Sequence, residues 1–162
     1  DFVRLATRVH EQNPTVHFTW IGDGPLEESA RELALELGVG NVLHFIGQRE
    51  DVPADLQALD VFVMTSRWEA FSLALLEAMA CGLPVVATRL PGIAEAVTEG
   101  ESGFLLPVGD VDGMSAAVLS VLSDVDLVKR MGAGARRRVE QDFTRVQMMD
   151  RLTQVYQSLV GE

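Results

Sequence analysis

The sequence predicts an open α/β domain, a doubly wound and mostly parallel sheet covered by helices on both faces. Three observations predict it. Short, nearly all-apolar runs recur along the chain (VHFTWIG, VLHFIG, DVFVMTS, PVVAT, GFLLPVG), as strands buried on both faces do. Between them lie stretches whose apolar residues fall at helical spacing, and glycine or proline stands at most of the junctions. With 162 residues and 48% hydrophobic content, the chain can fill one core. The expectation is one domain over residues 1–162, with 143–162 a terminal helix region.

Each element has its own signal. Phe2, Leu5, Ala6 and Val9 share a helix face, and Asn13-Pro14 stops that helix. A strand over about 16–21 ends in Gly22-Asp23-Gly24-Pro25. Leu26, Ala30, Leu33 and Leu37 pattern the next helix, which Gly38 and Gly40 follow. VLHFIG is a second strand, Val52 to Leu59 a short helix, and DVFVMTS a third strand. Then come the helix LALLEAMAC with Leu73, Leu76 and Ala80 along one face, the strand PVVAT, a brief helix in IAEAVTEG, and the strand GFLLPVG. From Asp110 onward the pattern is helical, broken near Ser123-Asp124 and again near Phe143.

Composition narrows the function. The net charge of -11, from 24 acidic residues against 13 Lys and Arg, opposes binding to nucleic acid or to an anionic membrane surface. The one cysteine, Cys81, cannot form an internal disulfide and suits a reducing compartment, so a soluble protein in the cytoplasm is expected. No apolar run approaches the roughly 20 residues that span a bilayer. His10, His17 and His44 lack metal-ligand spacing, and there is neither a phosphate loop of the GKS/T type nor a Ser-His-Asp arrangement. No metal and no cofactor are expected. Arg136, Arg137 and Arg138, beside acidic neighbours, read as a solvated face.

Ligands of doubly wound sheets bind outside the carboxyl ends of the strands, which directs attention to four turns: Gly22 to Pro25, Gly47-Gln48-Arg49, Ser66 to Ser72, and Arg89 to Gly92. Gly22 and Gly24 allow a ligand close to the backbone or simply make a tight turn; without a third glycine they are not a dinucleotide fingerprint. Ser72 precedes an apolar run and fits an N-cap. The N–H groups from Phe71 to Leu73 would then form an anion site at the helix start. Glu77 lies about 6 Å further along the same face, where its carboxylate can accept hydrogen bonds from a neutral diol. Glu69, before the helix, can reach the other end of a phosphate-centred ligand. Two carboxylates flanking a helix start suit a ligand that is anionic in the middle and hydroxylated at both ends, such as a nucleoside diphosphate sugar. The alternatives are a solvated Glu77 with a loop charge at Glu69, or a general acid and base pair with no identifiable partner.

The stretch Glu69-Ala-Phe-Ser-Leu-Ala-Leu-Leu-Glu77, continuing through Ala78-Met79-Ala80-Cys81-Gly82-Leu83-Pro84 into the strand, resembles the nucleotide-binding, C-terminal domain of retaining glycosyltransferases. These have the two-domain GT-B architecture of the glycosyl transferases group 1, family 4 type. Sucrose synthases, bacterial-type glycogen synthases and many lipopolysaccharide and glycolipid transferases belong to that group. Gly22-Asp-Gly-Pro25, Phe45-Ile-Gly47, Asp60-Val-Phe-Val63, Gly92-Ile-Ala-Glu95 and Gly103-Phe-Leu-Leu-Pro107 match it in order and spacing. The resemblance covers nearly the entire chain and implies a Rossmann-like topology. It implies a hexosyl or related transferase that uses a nucleotide sugar, retains the anomeric configuration and needs no metal. It further implies Glu77 on the ribose hydroxyls and Glu69 against the donor sugar as the catalytic carboxylate. Backbone N–H groups of Phe71, Ser72 and Leu73 would meet the diphosphate, with Gly22, Gly24, Gly47, Gln48 and Arg49 on the phosphate and base sides.

Two departures from the family pattern stand out. Ala70 occupies a position where glycine is usual, and fits only with negative φ. The family's arginine and lysine, which neutralise the leaving diphosphate, lie upstream of the position of Asp1. That upstream segment also carries the first strand, central in the order 3-2-1-4-5-6. The 162 residues thus read as part of a longer polypeptide, with a gap in mid-sheet between about 16–21 and 61–65. Its N-terminal, acceptor-binding domain would be the chain's partner, and the isolated chain would be inactive. The other readings are a non-catalytic nucleotide-binding or protein-interaction module and a sugar-nucleotide epimerase domain.

Overall fold

A computed structural model describes residues 1–160. Its strands are β1 (Phe18–Ile21), β2 (Leu43–Gly47), β3 (Phe62–Met64), β4 (Val85–Thr88) and β5 (Gly103–Leu106). Its helices are α1 (Phe2–Gln12), α2 (Glu27–Glu36), α3 (Val52–Gln57), α4 (Leu73–Ala80), α5 (Pro91–Ala96), α6 (Val111–Leu122), α7 (Val125–Asp142) and α8 (Arg145–Val160). Every strand pair is parallel, with Phe18 opposite Leu43, Phe62 opposite Val85, and Val85 opposite Gly103. The mostly parallel, Rossmann-like α/β fold expected from the sequence is thus the observed one.

The strands form two separate sheets. One has the order β1-β2 and the other β3-β4-β5, so the break falls between β1 and β3, where the sequence predicts a gap. Side chains alternate between two layers, as pleating dictates. Val63, Val86 and Leu106 face α1 and α6, together with Leu5, Val9, Met114 and Val118. Phe62, Val85, Ala87 and Leu105 face the other way, toward Leu75, Met79, Ile93 and Ala135 of α4, α5 and α7. A smaller cluster, Leu56, Ala78 and Leu83, joins α3 to α4 and is touched by Ile21 of β1.

Side-chain caps fix several helix starts by taking N–H groups that have no partner within the helix. Asp51 accepts from Ala54 at 3.2 Å, Ser72 from Leu75 at 3.2 Å, Asp110 from Gly113 at 2.9 Å, and Asp124 from Asp126 and Leu127 at 2.9 and 3.0 Å. The predicted breaks near Ser123-Asp124 and Phe143 are the cap of α7 and the residue that ends it. The terminal helix region is α8, which buries none of its residues; Gly161 and Glu162 lie outside the described residues. No helix among the described residues is long and apolar enough to cross a membrane.

Three details differ from the sequence reading. Helix α5 begins at Pro91, because proline's fixed φ suits the first helical position. Leu26 is exposed, and Ala34 is the fully buried residue of α2. In α4 the buried residues are Leu75, Ala78 and Met79, while Leu73 is 71% exposed. That helix is apolar nearly all round, so its periodicity does not select a face; packing against β4 and α7 does.

Candidate functional site

The carboxyl ends of the strands and the start of α4 meet at one end of the molecule. Ser72 is in extended backbone, with φ -101° and ψ 113°, and its own side chain is almost fully buried. Its Oγ takes the Leu75 N–H, and its carbonyl takes that of Leu76. Among the described residues, no protein acceptor takes the N–H groups of Phe71, Ser72, Leu73 or Ala74. The first turn of α4 contains no acidic residue, so the positive end of the helix is uncompensated and suits an anion.

Two contacts hold the lead-in to this helix. Gly92 lies against it: a Cβ on Gly92 would come within 1.9 Å of the Ala70 carbonyl oxygen and 3.1 Å of the Phe71 Cα. Only glycine lets α5 approach that backbone. On the other side the Phe71 ring packs on Phe143, with centroids 5.7 Å apart. Thr88 Oγ1, buried at the end of β4, donates to the Ser66 carbonyl at 2.6 Å, joining the loop after β3 to the neighbouring strand. Among the described residues no non-glycine residue has positive φ, so Ala70 meets the condition of negative φ that a side chain at its position requires.

A cleft of about 1260 Å³ runs between the two sheets. Gly22, Gln48, Arg49, Ser66 and Glu77 line its upper end. Four of the predicted residues, from three separate turns or helices, are therefore brought together there. Gly47 is next to them, its carbonyl accepting the Gly22 N–H at 2.8 Å. Both glycines have positive φ, 108° and 69°, a region that residues with a Cβ rarely adopt. Gly24, Glu69, Phe71, Ser72 and Leu73 do not line this cleft. The last three form the helix start, and Glu69 is half-buried in the loop before it.

The polar side chains are partly committed already. Gln48 donates to Asp23 Oδ1 at 3.0 Å. Arg49 Nε donates to Asp55 Oδ2 at 2.8 Å, and that hydrogen bond, then the Asp55 charge, raise the Arg49 pKa. This carboxylate, which α3 brings from six residues away, is a partner of Arg49 that the spacing of the turn does not reveal. Nor are the histidines all scattered: His17 Nδ1 and His44 Nε2 lie 3.1 Å apart on stacked rings of adjacent strands. Among the described residues no group of three or more His, Cys, Asp or Glu could hold a metal ion. Gly92 was recognised in a motif but not as a residue of the site; its close approach to Ala70 depends on a tertiary contact that no local spacing reveals.

Comparison with known proteins identifies the family of the chain. The family model for glycosyl transferases group 1 matches residues 1–138. N-acetyl-alpha-D-glucosaminyl L-malate synthase of Bacillus anthracis is 33% identical over 161 residues, 99% of this chain and 41% of that protein. Glycogen synthase of Mycobacterium tuberculosis is 32% identical over 158 residues, 96% of this chain and 38% of that one. The chain therefore spans about two fifths of the length of these curated relatives. Anabaena HepE, solved in complex with UDP, superposes with a TM-score of 0.88 at 27% identity over 96% of this chain and 44% of that chain. A Staphylococcus aureus TarM mutant, solved with UDP among its ligands, gives a TM-score of 0.92 over 96% of this chain and 32% of that chain. Its identity of 18% makes it a likeness of fold alone. With most of its length matched by the family model, the chain belongs to the glycosyl transferases group 1 family.

Proposed function

We propose that this chain, over residues 1–162, is the donor-binding domain of a retaining glycosyltransferase, working with an N-terminal, acceptor-binding domain of the same polypeptide in the cytoplasm. The observation that carries the reading is the convergence of Gly22, Gln48, Arg49 and Glu77 on one cleft, beside a helix start whose first amides have no protein acceptor. In this reading the α4 amides from Phe71 to Leu73 hold the diphosphate, and the acid-free first turn supplies a favourable field. Glu77 accepts hydrogen bonds from the ribose hydroxyls. Gly22, Gly24 and Gly47 let the nucleotide approach the backbone, with Gln48 and Arg49 on its phosphate and base sides.

Glu69, in the lead-in to α4, is the carboxylate assigned to the sugar. During transfer the bond from the anomeric carbon to the diphosphate oxygen breaks, and the oxygen keeps the electron pair. The acceptor oxygen forms the new bond on the same face and passes its proton to the departing diphosphate oxygen. Donors fixed before the reaction stabilise the charge that develops on the leaving diphosphate. This assignment needs no metal. HepE, with 27% identity, was also solved with UDP-glucose, which supports a nucleotide sugar as the ligand class here.

Calorimetry on the whole polypeptide tests the reading. UDP, GDP or ADP should bind more tightly than the matching nucleoside, and Glu77→Gln should weaken the preferred nucleotide about ten-fold or more. The size follows from hydrogen bonds to charged groups being worth about 1.5–3 kcal/mol. The 2'-deoxy and 3'-deoxy nucleotides should lose less from the same substitution. Equal losses for all three would remove Glu77 from the ribose, and equal affinity for nucleoside and diphosphate would remove the phosphate from α4.

A further inference from the structure

The end of α7 holds a side chain that the charge pattern does not single out. Of three neighbouring arginines, the side chains of Arg136 and Arg137 are 62% and 58% exposed, as a solvated face requires, whereas that of Arg138 is 34% exposed and its Nε is buried. Arg138 pairs with Asp142 one turn on. Its Nη2 donates to the Glu95 carbonyl at 3.0 Å, one of the last carbonyls of α5, which have no N–H of their own helix to accept. The guanidinium also lies over the ring of Phe143, 5.1 Å from the centroid, where the face of an aromatic ring attracts a cation. Arg138 thereby ties the end of α7 to the end of α5.

We propose that Arg138 and Phe143 are positioning residues for the anion site at the start of α4, an inference that rests on the assignment of the diphosphate to the amides from Phe71 to Leu73. Two walls hold Phe71. Its ring packs on that of Phe143, with centroids 5.7 Å apart, and its backbone lies against Gly92 of α5, where a Cβ would come within 3.1 Å of the Phe71 Cα. Arg138 touches both walls, because it stacks on Phe143 and bonds to the far end of α5. Phe143 is itself fixed by the backbone on either side. Its N–H closes the last turn of α7 on the Val139 carbonyl at 3.0 Å, and the N–H of Thr144, which follows, donates to Gln147 Oε1 at 3.0 Å at the start of α8.

What this arrangement controls is the direction of an amide. Among the described residues the Phe71 N–H has no protein acceptor, so no bond within the protein sets its orientation, and the same holds for Ser72. Hydrogen bonds weaken steeply when the angle at the hydrogen falls below about 120°, and a site gains affinity from donors aligned before the ligand arrives. The packing of the Phe71 ring on Phe143 supplies that alignment. Arg138 acts here by shape rather than by charge. A lysine in its place keeps the charge but lacks the flat guanidinium, which stacks on Phe143 while its fork donates to Glu95 and Asp142.

Calorimetry of the whole polypeptide, with the preferred nucleotide among UDP, GDP and ADP and with the matching nucleoside, tests the inference. Phe143→Leu and Arg138→Lys should each weaken the diphosphate about three- to ten-fold, the worth of a hydrogen bond turned out of line, and leave the nucleoside nearly unchanged. Phe143→Tyr, which keeps the ring, should restore the affinity of the unsubstituted protein. Because each loss is read as a ratio of diphosphate to nucleoside affinity, a variant that is merely less stable keeps the ratio. Full diphosphate affinity in Arg138→Lys with a loss in Arg138→Gln would overturn the proposal, since charge alone would then be acting. An unchanged ratio in Phe143→Leu would overturn it as well, as would a Phe143→Tyr protein no better than Phe143→Leu. In those cases the unsubstituted protein still prefers the diphosphate, so only this inference falls. Equal binding of nucleoside and diphosphate by the unsubstituted protein would instead remove the phosphate from α4, and the inference with it.

Discussion

The two sheets differ in how their strands are held. In the three-stranded sheet, all four residues of β4 are buried, and helices α4, α5 and α7 close over one face. In the two-stranded sheet only Phe18 of β1 and Leu43 of β2 are buried, and one edge opens into the cleft. The first carries the well-capped helix start, while the second carries the positive-φ glycine turns and Arg49. A candidate donor site built across both would join a capped, well-buried helix start to a less buried wall. Local stability follows buried apolar contact, so the two halves should respond differently to equal changes.

The largest expected effect lies in the three-stranded half. Ile93 is fully buried there and Ile46 only half-buried in β2. Ile93→Ala should cost about 2–5 kcal/mol, and Ile46→Ala no more than about half as much. Denaturant unfolding of both variants checks this; equal losses would mean that the halves are equally well packed. Gly92→Ala comes next. Its methyl group would overlap the Ala70 carbonyl, and overpacking costs about 1–3 kcal/mol. The backbone of Ala70 and Phe71 must shift, so nucleoside diphosphate affinity should fall while nucleoside affinity changes less. Affinity unchanged for both would show that the lead-in tolerates the shift.

Helix caps give a smaller contrast. Ser72→Ala should cost about 1–2 kcal/mol, because the cap is buried, whereas the exposed Asp51 cap should lose less on the same change. Thermal unfolding would compare them. The smallest effect on stability is expected for Asp55→Asn, which removes the charge that holds Arg49. Exposed ion pairs contribute little, so the melting temperature should be unchanged within error, while the released guanidinium tightens diphosphate binding. Weaker binding would mean that Asp55 holds Arg49 in its useful position.

How much of this could be read from the sequence follows the range of the interactions. Apolar runs marked every strand of both halves, because central strands need side chains of the same kind on both faces. Ser72 was identifiable as a cap from its place before an apolar run. The buried face of α4 was not, since a helix apolar on nearly all sides carries no periodic signal. Nor were Arg49 with Asp55, His17 beside His44, or Gly92 against Ala70, each of which depends on which turns and strands become neighbours. Glycine at position 92 reads as a turn residue in sequence, and only the tertiary approach gives its other reason.

Of the protein's two tryptophans, Trp68 is 84% exposed and precedes Glu69, whereas Trp20 stacks on Phe45 at 5.3 Å and meets Phe2 edge-on. The molecule thus contains two optical probes in different surroundings. A water-soluble quencher should reach the indole of Trp68 more readily than that of Trp20, which is partly buried. With Trp68→Phe as a reference, the two emission signals can be assigned, one reporting on the loop beside Glu69 and the other on the opening between the sheets.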